Sequence, residues 1–269
     1  MSSRVKHNLT FSNRWVVRLV SVVVVLVAWQ IYGSYFPLTI SKPTSIAAAI
    51  VNLLTFKSFE AGGTTFNYDL YISLWTFFVG YVIAIVAGIA IGAIMYSSKW
   101  IETALDPYVT ALYNAPYVAL APLFMIFFGV DFLARVIVVL LSVVFVVIIN
   151  SNTGFRNSGA ALVETGKSFG HSGIRIFQKI VLPGALPYIM TGARIGVPRG
   201  LVGVIVAESV VQIVYLGYKL QYYSEVTLQI DYELAIIIII GVISLTLTEA
   251  FKRGEKAMSK WKVTPTASR

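Results

Sequence analysis

The stretch that decides the architecture is ETGKSFGHSGIRIFQKIVLPGALP, residues 164–187, a polar segment set between long apolar runs. Apolar residues recur at helical spacing on both sides of the GHSG break at residues 170–173. The pattern therefore predicts two short amphipathic helices, with Ser172 as the N-cap of the second. Because three basic residues and one glutamate make the segment too polar to cross a bilayer, we expect it to lie at a membrane surface and to face a partner.

Composition indicates an integral membrane protein. Of the 269 residues, 57% are hydrophobic and only 12% are charged, whereas soluble domains carry about 25% charged residues. A net charge of +9 would also suit a nucleic-acid-binding protein, but basic ends on membrane helices produce the same total, so we expect no nucleic acid partner. Cysteine is absent and only His7 and His171 are present, which argues against disulfides and a metal site.

Apolar runs long enough to span a bilayer recur along the chain. The predicted spans are residues 15–36, 70–95, 108–128, 133–150, 188–208 and 234–251. We expect residues 37–67 to form an external loop with a short surface helix at 46–56, and residues 99–107 to form a charged turn. Residues 209–233 are rich in tyrosine and are predicted to form an interfacial or re-entrant segment with an aromatic belt. The predicted fold class is therefore all-α, a polytopic membrane protein.

Lysine and arginine predict the orientation of the six helices. With both termini and the central polar loop inside, 15 of the 21 basic residues are cytoplasmic and four are external, which matches the positive-inside rule. The predicted organisation is a cytoplasmic tail at 1–14, a transmembrane domain at 15–252 with its core at about 70–250, and a second cytoplasmic tail at 253–269. The central cytoplasmic loop covers about 153–187.

Small residues at four-residue spacing predict close helix packing. The second span carries Ala84, Gly88 and Gly92, and the fifth carries Gly192, Gly196 and Gly200. Such stripes let the backbones of two membrane helices approach closely.

The spacing within residues 164–187 resembles the EAA loop of bacterial ATP-binding-cassette importer permeases. The matching positions are Glu164, Gly170, Ile180, Leu182 and Pro183. Thr165 and Gly166 stand where the family commonly has alanine, and a glycine costs a helix about 1 kcal/mol relative to alanine. The resemblance implies that these seven residues couple the permease to an ATPase.

A phosphate-binding loop is the rival interpretation of Gly166-Lys167-Ser168. That motif needs a glycine five residues earlier and a preceding strand, whereas position 161 is alanine and lies outside any predicted strand. We therefore expect no ATPase activity in this chain.

Further phrases resemble the permease branch that imports nitrate, taurine, alkanesulfonates and related anions. They are LDP at 105–107, APL at 121–123, FFG at 127–129, LPGALP at 182–187, GAR at 192–194 and VAE at 206–208. The resemblance implies a type I importer fold in the bacterial cytoplasmic membrane and a permease homodimer. It also implies two ATPase subunits, which would use ATP and Mg²⁺, and an external solute-binding protein, with no cofactor in this chain.

Other solutes and other classes of protein stay open at this point. Related permeases also serve aromatic acids, thiamine precursors and flavins. A stand-alone channel or secondary transporter would be expected to show inverted repeats or paired acidic residues, and an intramembrane enzyme would need a nucleophile with a base at membrane depth. Neither pattern is evident in the sequence.

Polar residues within the predicted spans are candidates for the solute pathway. Tyr113, Asn114 and Pro116 interrupt the third span, and an interrupted helix is usually buried in protein or lies beside water. Arg199 lies midway along the fifth span, where an unpaired charge costs about 3 kcal/mol. It is expected either to line the pathway or to form a structural pair, for example with Glu208 of a second copy or with helix-end carbonyls. Glu208, at the outer end of the same span, is the fifth candidate pathway residue.

The predicted orientation can be tested with reporter fusions. Fusions at residues 1, 100, 165 and 260 should report a cytoplasmic location, and fusions at residues 55 and 220 an external one, because of the positive-inside bias. An external reporter at residue 165 would contradict the coupling role of the central loop.

Overall fold

The computed structural model describes residues 11–36, 40–55, 63–211 and 215–258, and all regular elements within these ranges are helical. The helices are α1 (Phe11–Tyr35), α2 (Pro43–Leu54), α3 (Phe66–Ser97), α4 (Lys99–Tyr113), α5 (Tyr117–Phe128), α6 (Phe132–Arg156), α7 (Ala160–Ser168), α8 (Gly173–Ile176), α9 (Leu182–Val211), α10 (Leu216–Gln221) and α11 (Ile230–Met258). A π-helical turn at Phe177–Val181 joins α8 to α9, and a second at Tyr222–Val226 follows α10.

Five segments of the described chain are long and apolar enough to cross a membrane. They are Trp15–Tyr35, Phe66–Ser97, Phe132–Arg156, Gly173–Val210 and Ile230–Lys256. Five of the six predicted spans fall within these segments. The other predicted span, residues 108–128, is divided between α4 and the short apolar α5, so the count of six stays a prediction.

The division of the third predicted span has a local cause at Pro116. A proline has no N–H to donate and disfavours helical geometry in the residue before it. The N–H of Ala115 bonds to Leu112 O at 3.0 Å, and the N–H of Tyr117 bonds to Ala115 O at 3.0 Å. Neither bond has the i→i−4 pattern of an α-helix, so the chain turns here and restarts as α5.

Two expectations for polar stretches are wrong. The charged turn predicted at 99–107 is the first half of α4, which continues through the exposed Pro107. Residues 151–156, predicted to lie beyond the fourth span, continue α6. Asn152 fits within this helix because its side-chain amide donates to Glu102 Oε1 at 3.0 Å, which satisfies a buried polar group.

The core lies where α3 and α9 pack against α6, whose inward residues are largely valine. Both predicted small-residue stripes face α6. A Cβ placed on Gly88 would lie 2.7 Å from Val147 Cβ, and one placed on Gly192 would lie 2.8 Å from Asn150 Cβ. Since these positions have no room for a side chain, the two stripes determine how closely the three helices approach.

A second core joins α2, α10 and α11 at the other side of the bundle. The expected surface helix at 46–56 is α2, and its Ile46, Ala49 and Leu53 are buried. Tyr223 is 2% exposed and stacks on Tyr232 with ring centroids 5.0 Å apart. Tyr223 is therefore a core residue and not part of the predicted aromatic belt.

Helix extends into both of the predicted tails, whose location stays a prediction. Helix α1 begins at Phe11 and α11 ends at Met258, so helix extends past the predicted boundaries at 14 and 253. Residues 1–10 and 259–269, and the parts of the predicted external segments at 37–39, 56–62 and 212–214, lie outside the described residues.

Close packing at Gly88 predicts a stability difference between two glycine substitutions. Gly88→Ala should destabilise the protein by about 1–3 kcal/mol, because the new methyl group overlaps Val147. Gly241→Ala is the matched control, since a Cβ there meets no atom within 4 Å. Thermal unfolding of both variants in detergent should show a lower melting temperature for Gly88→Ala alone, and equal melting temperatures would contradict the packing argument.

Candidate solute cavity and coupling corner

A cavity of about 540 Å³ lies near the middle of α6 and α9, beside the break between α4 and α5. Its lining residues are Tyr113, Asn114, Ala115, Pro116, Tyr117, Ser142, Pro198, Arg199 and Val202. Four of the five pathway residues predicted from the sequence are therefore brought together in one place. The volume lies within the range of about 300–1,000 Å³ that is usual for small-molecule sites.

Arg199 is held at this cavity by Tyr113. A guanidinium nitrogen of Arg199 donates to the Tyr113 hydroxyl oxygen at 2.8 Å, and the guanidinium carbon lies 4.4 Å from the centre of the Tyr113 ring. The cavity lining includes no carboxylate. The arrangement therefore places a fixed positive charge, half-buried, beside hydroxyl groups and apolar side chains.

The fifth predicted pathway residue, Glu208, lies away from the cavity and is fully buried. One of its carboxylate oxygens accepts from Ser73 Oγ at 2.7 Å and from the backbone N–H of Gly217 at 3.3 Å. The other lies 3.5 Å from a guanidinium nitrogen of Arg135. Within this chain the partner of Glu208 is thus Arg135, whereas the pairing of Arg199 with Glu208 of a second copy stays a prediction.

A second buried ion pair joins Lys219 to Asp69. Lys219 Nζ lies 3.0 Å from Asp69 Oδ2 and donates to Thr64 O at 2.8 Å, and both charged side chains are at most 1% exposed. Thr64 Oγ1 also donates to the Asp69 carboxylate. This pair ties α10 to the start of α3.

Sequence reasoning missed both pairs because it counted Arg135 and Lys219 only as external surface charges. Arg135 and Asp69 each lie within four residues of the start of a long apolar helix, where a charged side chain can ordinarily reach the membrane interface, so their positions gave no signal of burial. Their partners could not be found from local patterns either, since Lys219 is 150 residues from Asp69 in the chain.

The predicted coupling residues lie on a helix–turn–helix unit that we call the coupling corner, residues 160–183. Helix α7 ends at Ser168, Gly170 turns the chain with φ of +72°, and α8 begins at Gly173. Ser172 takes the predicted N-cap position but makes no side-chain capping hydrogen bond. The predicted start of the fifth span at 188 is wrong, because helix runs without a break from Gly173 into α9.

Gly166 and Ile180 hold the two arms of the corner together. A Cβ on Gly166 would lie 3.2 Å from Ile180 Cδ1 and 3.3 Å from Ile176 Cγ1. The glycine that the sequence marks as a departure from the usual alanine therefore lets α7 approach the following helix closely. Leu182 and Pro183 follow the π-helical turn at the start of α9 and are half-buried.

Glu164, Thr165 and Gly170 occupy the exposed side of the corner. Three large apolar side chains are exposed with them, namely Leu162 at 56%, Phe169 at 77% and Ile174 at 65%. Exposed apolar groups on an otherwise polar segment indicate a surface that contacts another protein.

A further polar cluster joins the same end of α6 to α4. Glu102 accepts from Asn152 at 3.0 Å and pairs with Arg156. The Asn152 hydrogen bond, followed by the hydrogen bond and charge of Arg156, lowers the pKa of Glu102 below its ordinary value. The cluster therefore fastens the end of α6 that lies next to the coupling corner.

Comparison with known proteins identifies the family. Residues 80–253 match the family described as binding-protein-dependent transport system inner membrane component, a range that holds the cavity and the whole coupling corner. The chain belongs to this family. It is accordingly a multi-pass permease subunit of an ATP-binding-cassette importer in the cytoplasmic membrane, and it is a transport protein and not an enzyme.

Two relatives illustrate the similarity in sequence. The putative aliphatic sulfonates transport permease protein SsuC of Bacillus subtilis is 30% identical over 249 residues, which is 92% of this chain and 88% of the relative. The nitrate import permease protein NrtB of Synechocystis is 27% identical over 232 residues, covering 85% of this chain and 83% of the relative. Both belong to the nitrate, taurine and sulfonate branch that the sequence resembles.

A solved structure supports the fold independently of sequence. A chain of the MetNI methionine transporter in an inward-facing conformation superposes with a TM-score of 0.62 at 16% identity, covering 72% of this chain and 96% of that chain. The similarity confirms the type I importer permease fold. Permeases of this family work with ATPase subunits and an external binding protein.

The buried pair of Arg135 and Glu208 predicts a double-mutant result. Arg135→Met should lower the unfolding free energy by about 3–5 kcal/mol, because it leaves the Glu208 carboxylate buried without its cation. Adding Glu208→Gln should restore most of that loss, since the neutral amide keeps a carbonyl oxygen for Ser73 and Gly217. Thermal unfolding of the three variants in detergent measures this, and a double variant less stable than Arg135→Met would contradict the pairing.

Proposed function

We propose that this permease carries a small oxyanion through the cavity at Arg199. The observation that carries the proposal is a half-buried guanidinium in a cavity lined by hydroxyls and apolar groups, with no carboxylate among the lining residues. A fixed cation in a low-dielectric passage offsets part of the desolvation of an anion. The names of the two relatives, sulfonates for SsuC and nitrate for NrtB, agree with an oxyanion.

The coupling corner is the proposed docking element for the ATPase. Glu164, Thr165 and Gly170 are exposed there with Phe169 and Ile174, which is the composition expected of a surface that sits in a partner's cleft. Gly166, Ile180, Leu182 and Pro183 would support this surface from behind. Hydrolysis of ATP, with Mg²⁺, would take place in two partner subunits.

The route from the corner to the cavity supports this coupling. Helix runs without a break from Gly173 at the corner to Arg199 at the cavity, so a displacement of the corner moves the cavity wall. The π-helical turn at Phe177–Val181 interrupts the regular hydrogen-bond ladder between them, and such turns often mark functional sites.

The proposal also includes a permease homodimer and a coupling corner on the cytoplasmic side of the membrane. Exposed apolar residues on α5 and α9, Leu123, Ile126 and Val202 among them, would form the surface that a second copy covers. The solute would then pass between two copies of Arg199, one from each permease.

The transported class is tested in vesicles that contain the permease, its ATPase and its external binding protein. With ATP inside, uptake of labelled ethanesulfonate, taurine or nitrate should exceed uptake of an uncharged pyrimidine by at least about tenfold, a difference of about 1.4 kcal/mol in transition-state stabilisation. The assignment would be overturned if the complex takes up the pyrimidine and an excess of oxyanion does not reduce that uptake.

Gly170→Asp tests the coupling corner in the same complex. Gly170 has a positive φ and open space around its Cα, so the variant should fold, because Asp tolerates this region better than most residues. The added carboxylate should nevertheless abolish transport and weaken ATPase association. Ser172→Asp is the control, since it adds the same charge two residues away at an N-cap position that favours Asp. Solute-stimulated ATP hydrolysis at the normal rate in Gly170→Asp would contradict the docking role.

A further inference from the structure

Tyr117 is a cavity residue that sequence reasoning did not single out. It is 8% exposed, and its hydroxyl oxygen is buried without a hydrogen-bond partner among the described residues. A buried hydroxyl that lacks a partner costs about 1–3 kcal/mol. Because Tyr117 lines the same cavity as Arg199, a ligand in that cavity is a candidate partner for the hydroxyl.

The ring of Tyr117 is held in place by stacking. It lies parallel to the Phe145 ring on α6, with centroids 5.6 Å apart and planes 6° from parallel. Pro116 and the turn before α5 fix its backbone. The hydroxyl therefore keeps its position at the cavity and cannot turn toward another acceptor without losing the stack.

Tyr113 supplies a second hydroxyl proton. Its oxygen accepts from Arg199 at 2.8 Å, and an oxygen that accepts in this way still has its own O–H to donate. Asn114 is different, because its amide already donates to Thr110 O at 2.8 Å. That bond uses one of its two amide N–H groups, and its carbonyl oxygen is an acceptor, which does not suit an anion.

We infer that Arg199, Tyr113 and Tyr117 form an oxyanion-binding site inside the permease, with the Tyr117 hydroxyl as a donor to the bound anion. The inference rests on the proposed function and adds a ligand-binding group to it. The guanidinium supplies charge and two parallel N–H groups suited to an oxyanion, and the two tyrosines supply single O–H donors. Val202 and Pro198 complete the lining with apolar surface, which fits a short organic group attached to the anion.

The site accounts for selection by charge as well as by shape. Arg199, Tyr113 and Tyr117 all line the cavity and the lining holds no carboxylate, so a solute with an ammonium group finds no counter-ion there. A simple alkanesulfonate should accordingly pass more readily than its amino-substituted analogue at equal loading of the binding protein.

Tyr117→Phe isolates the hydroxyl, because it keeps the ring that stacks on Phe145. In the reconstituted complex, ethanesulfonate uptake at saturating binding protein should fall about tenfold, since a hydrogen bond to a charged group contributes about 1.5–3 kcal/mol. The melting temperature of the variant should be unchanged or higher, because a buried hydroxyl without a partner has been removed. A residue with only a structural role would instead show a lower melting temperature.

Two further variants complete the test. Arg199→Gln should reduce uptake at least as much as Tyr117→Phe, and the double variant should lose less than the product of the two effects, because both groups bind one anion. Tyr108→Phe is the matched control, since Tyr108 is 69% exposed on α4 and does not line the cavity.

A binding measurement without transport distinguishes a failure of this site from a failure of the proposed function. Ethanesulfonate added to the detergent-solubilised complex without binding protein should raise the melting temperature of the wild type more than that of Tyr117→Phe. If the wild type transports ethanesulfonate and Tyr117→Phe matches it in uptake and in this thermal shift, the site is wrong while the proposed function stands. If Tyr117→Phe fails to assemble, the hydroxyl is structural and the inference is overturned. A wild type that transports no oxyanion overturns both proposals.

Discussion

The structure depends on the close approach of α3 and α9 to α6. Glycines on the two outer helices face the valine-rich central helix, and at Gly88 and Gly192 an added Cβ would overlap α6 side chains. In a bilayer this contact cannot rely on the hydrophobic effect, because lipid tails are as apolar as valine. Dispersion contacts over a close, complementary surface replace it, and they leave little freedom in how the three helices are arranged.

Charged side chains within the bundle occur in two kinds of environment, buried ion pairs and the cavity at Arg199. On one side of the bundle, Arg135 with Glu208 and Lys219 with Asp69 are buried and paired, so their charges hold helices together. Near the middle, the break before Tyr117 opens a cavity in which the Arg199 guanidinium donates to the Tyr113 hydroxyl and lies over the Tyr113 ring. Paired charges fasten the bundle, whereas Arg199, beside a cavity lining without a carboxylate, is the charge that we propose for a passing anion.

The coupling corner and the cavity belong to one mechanical unit. The Glu102 cluster fastens the end of α6, and α9 continues the second arm of the corner past Arg199. Gly166 makes the corner compact, because its lack of a side chain lets Ile176 and Ile180 pack against α7. Glycine in place of the family's usual alanine at position 166 therefore has a structural reason. From the sequence alone it suggested only a less stable helix.

The sequence by itself determined the class of fold, the positions of five long apolar helices, both glycine stripes and the turn at Gly170, because apolar periodicity, small-residue spacing and the demand for a positive φ are local properties. It also pointed to four of the residues that line the cavity, since Pro116 and an arginine at membrane depth are conspicuous in an apolar chain. Only the tertiary structure decided that Glu208 pairs with Arg135, that Lys219 reaches Asp69, that the corner continues into α9 and that Tyr117 lies at the cavity. These depend on which side chains meet across helices far apart in sequence, and that is settled by the packing of α3 and α9 on α6 and not by any local pattern.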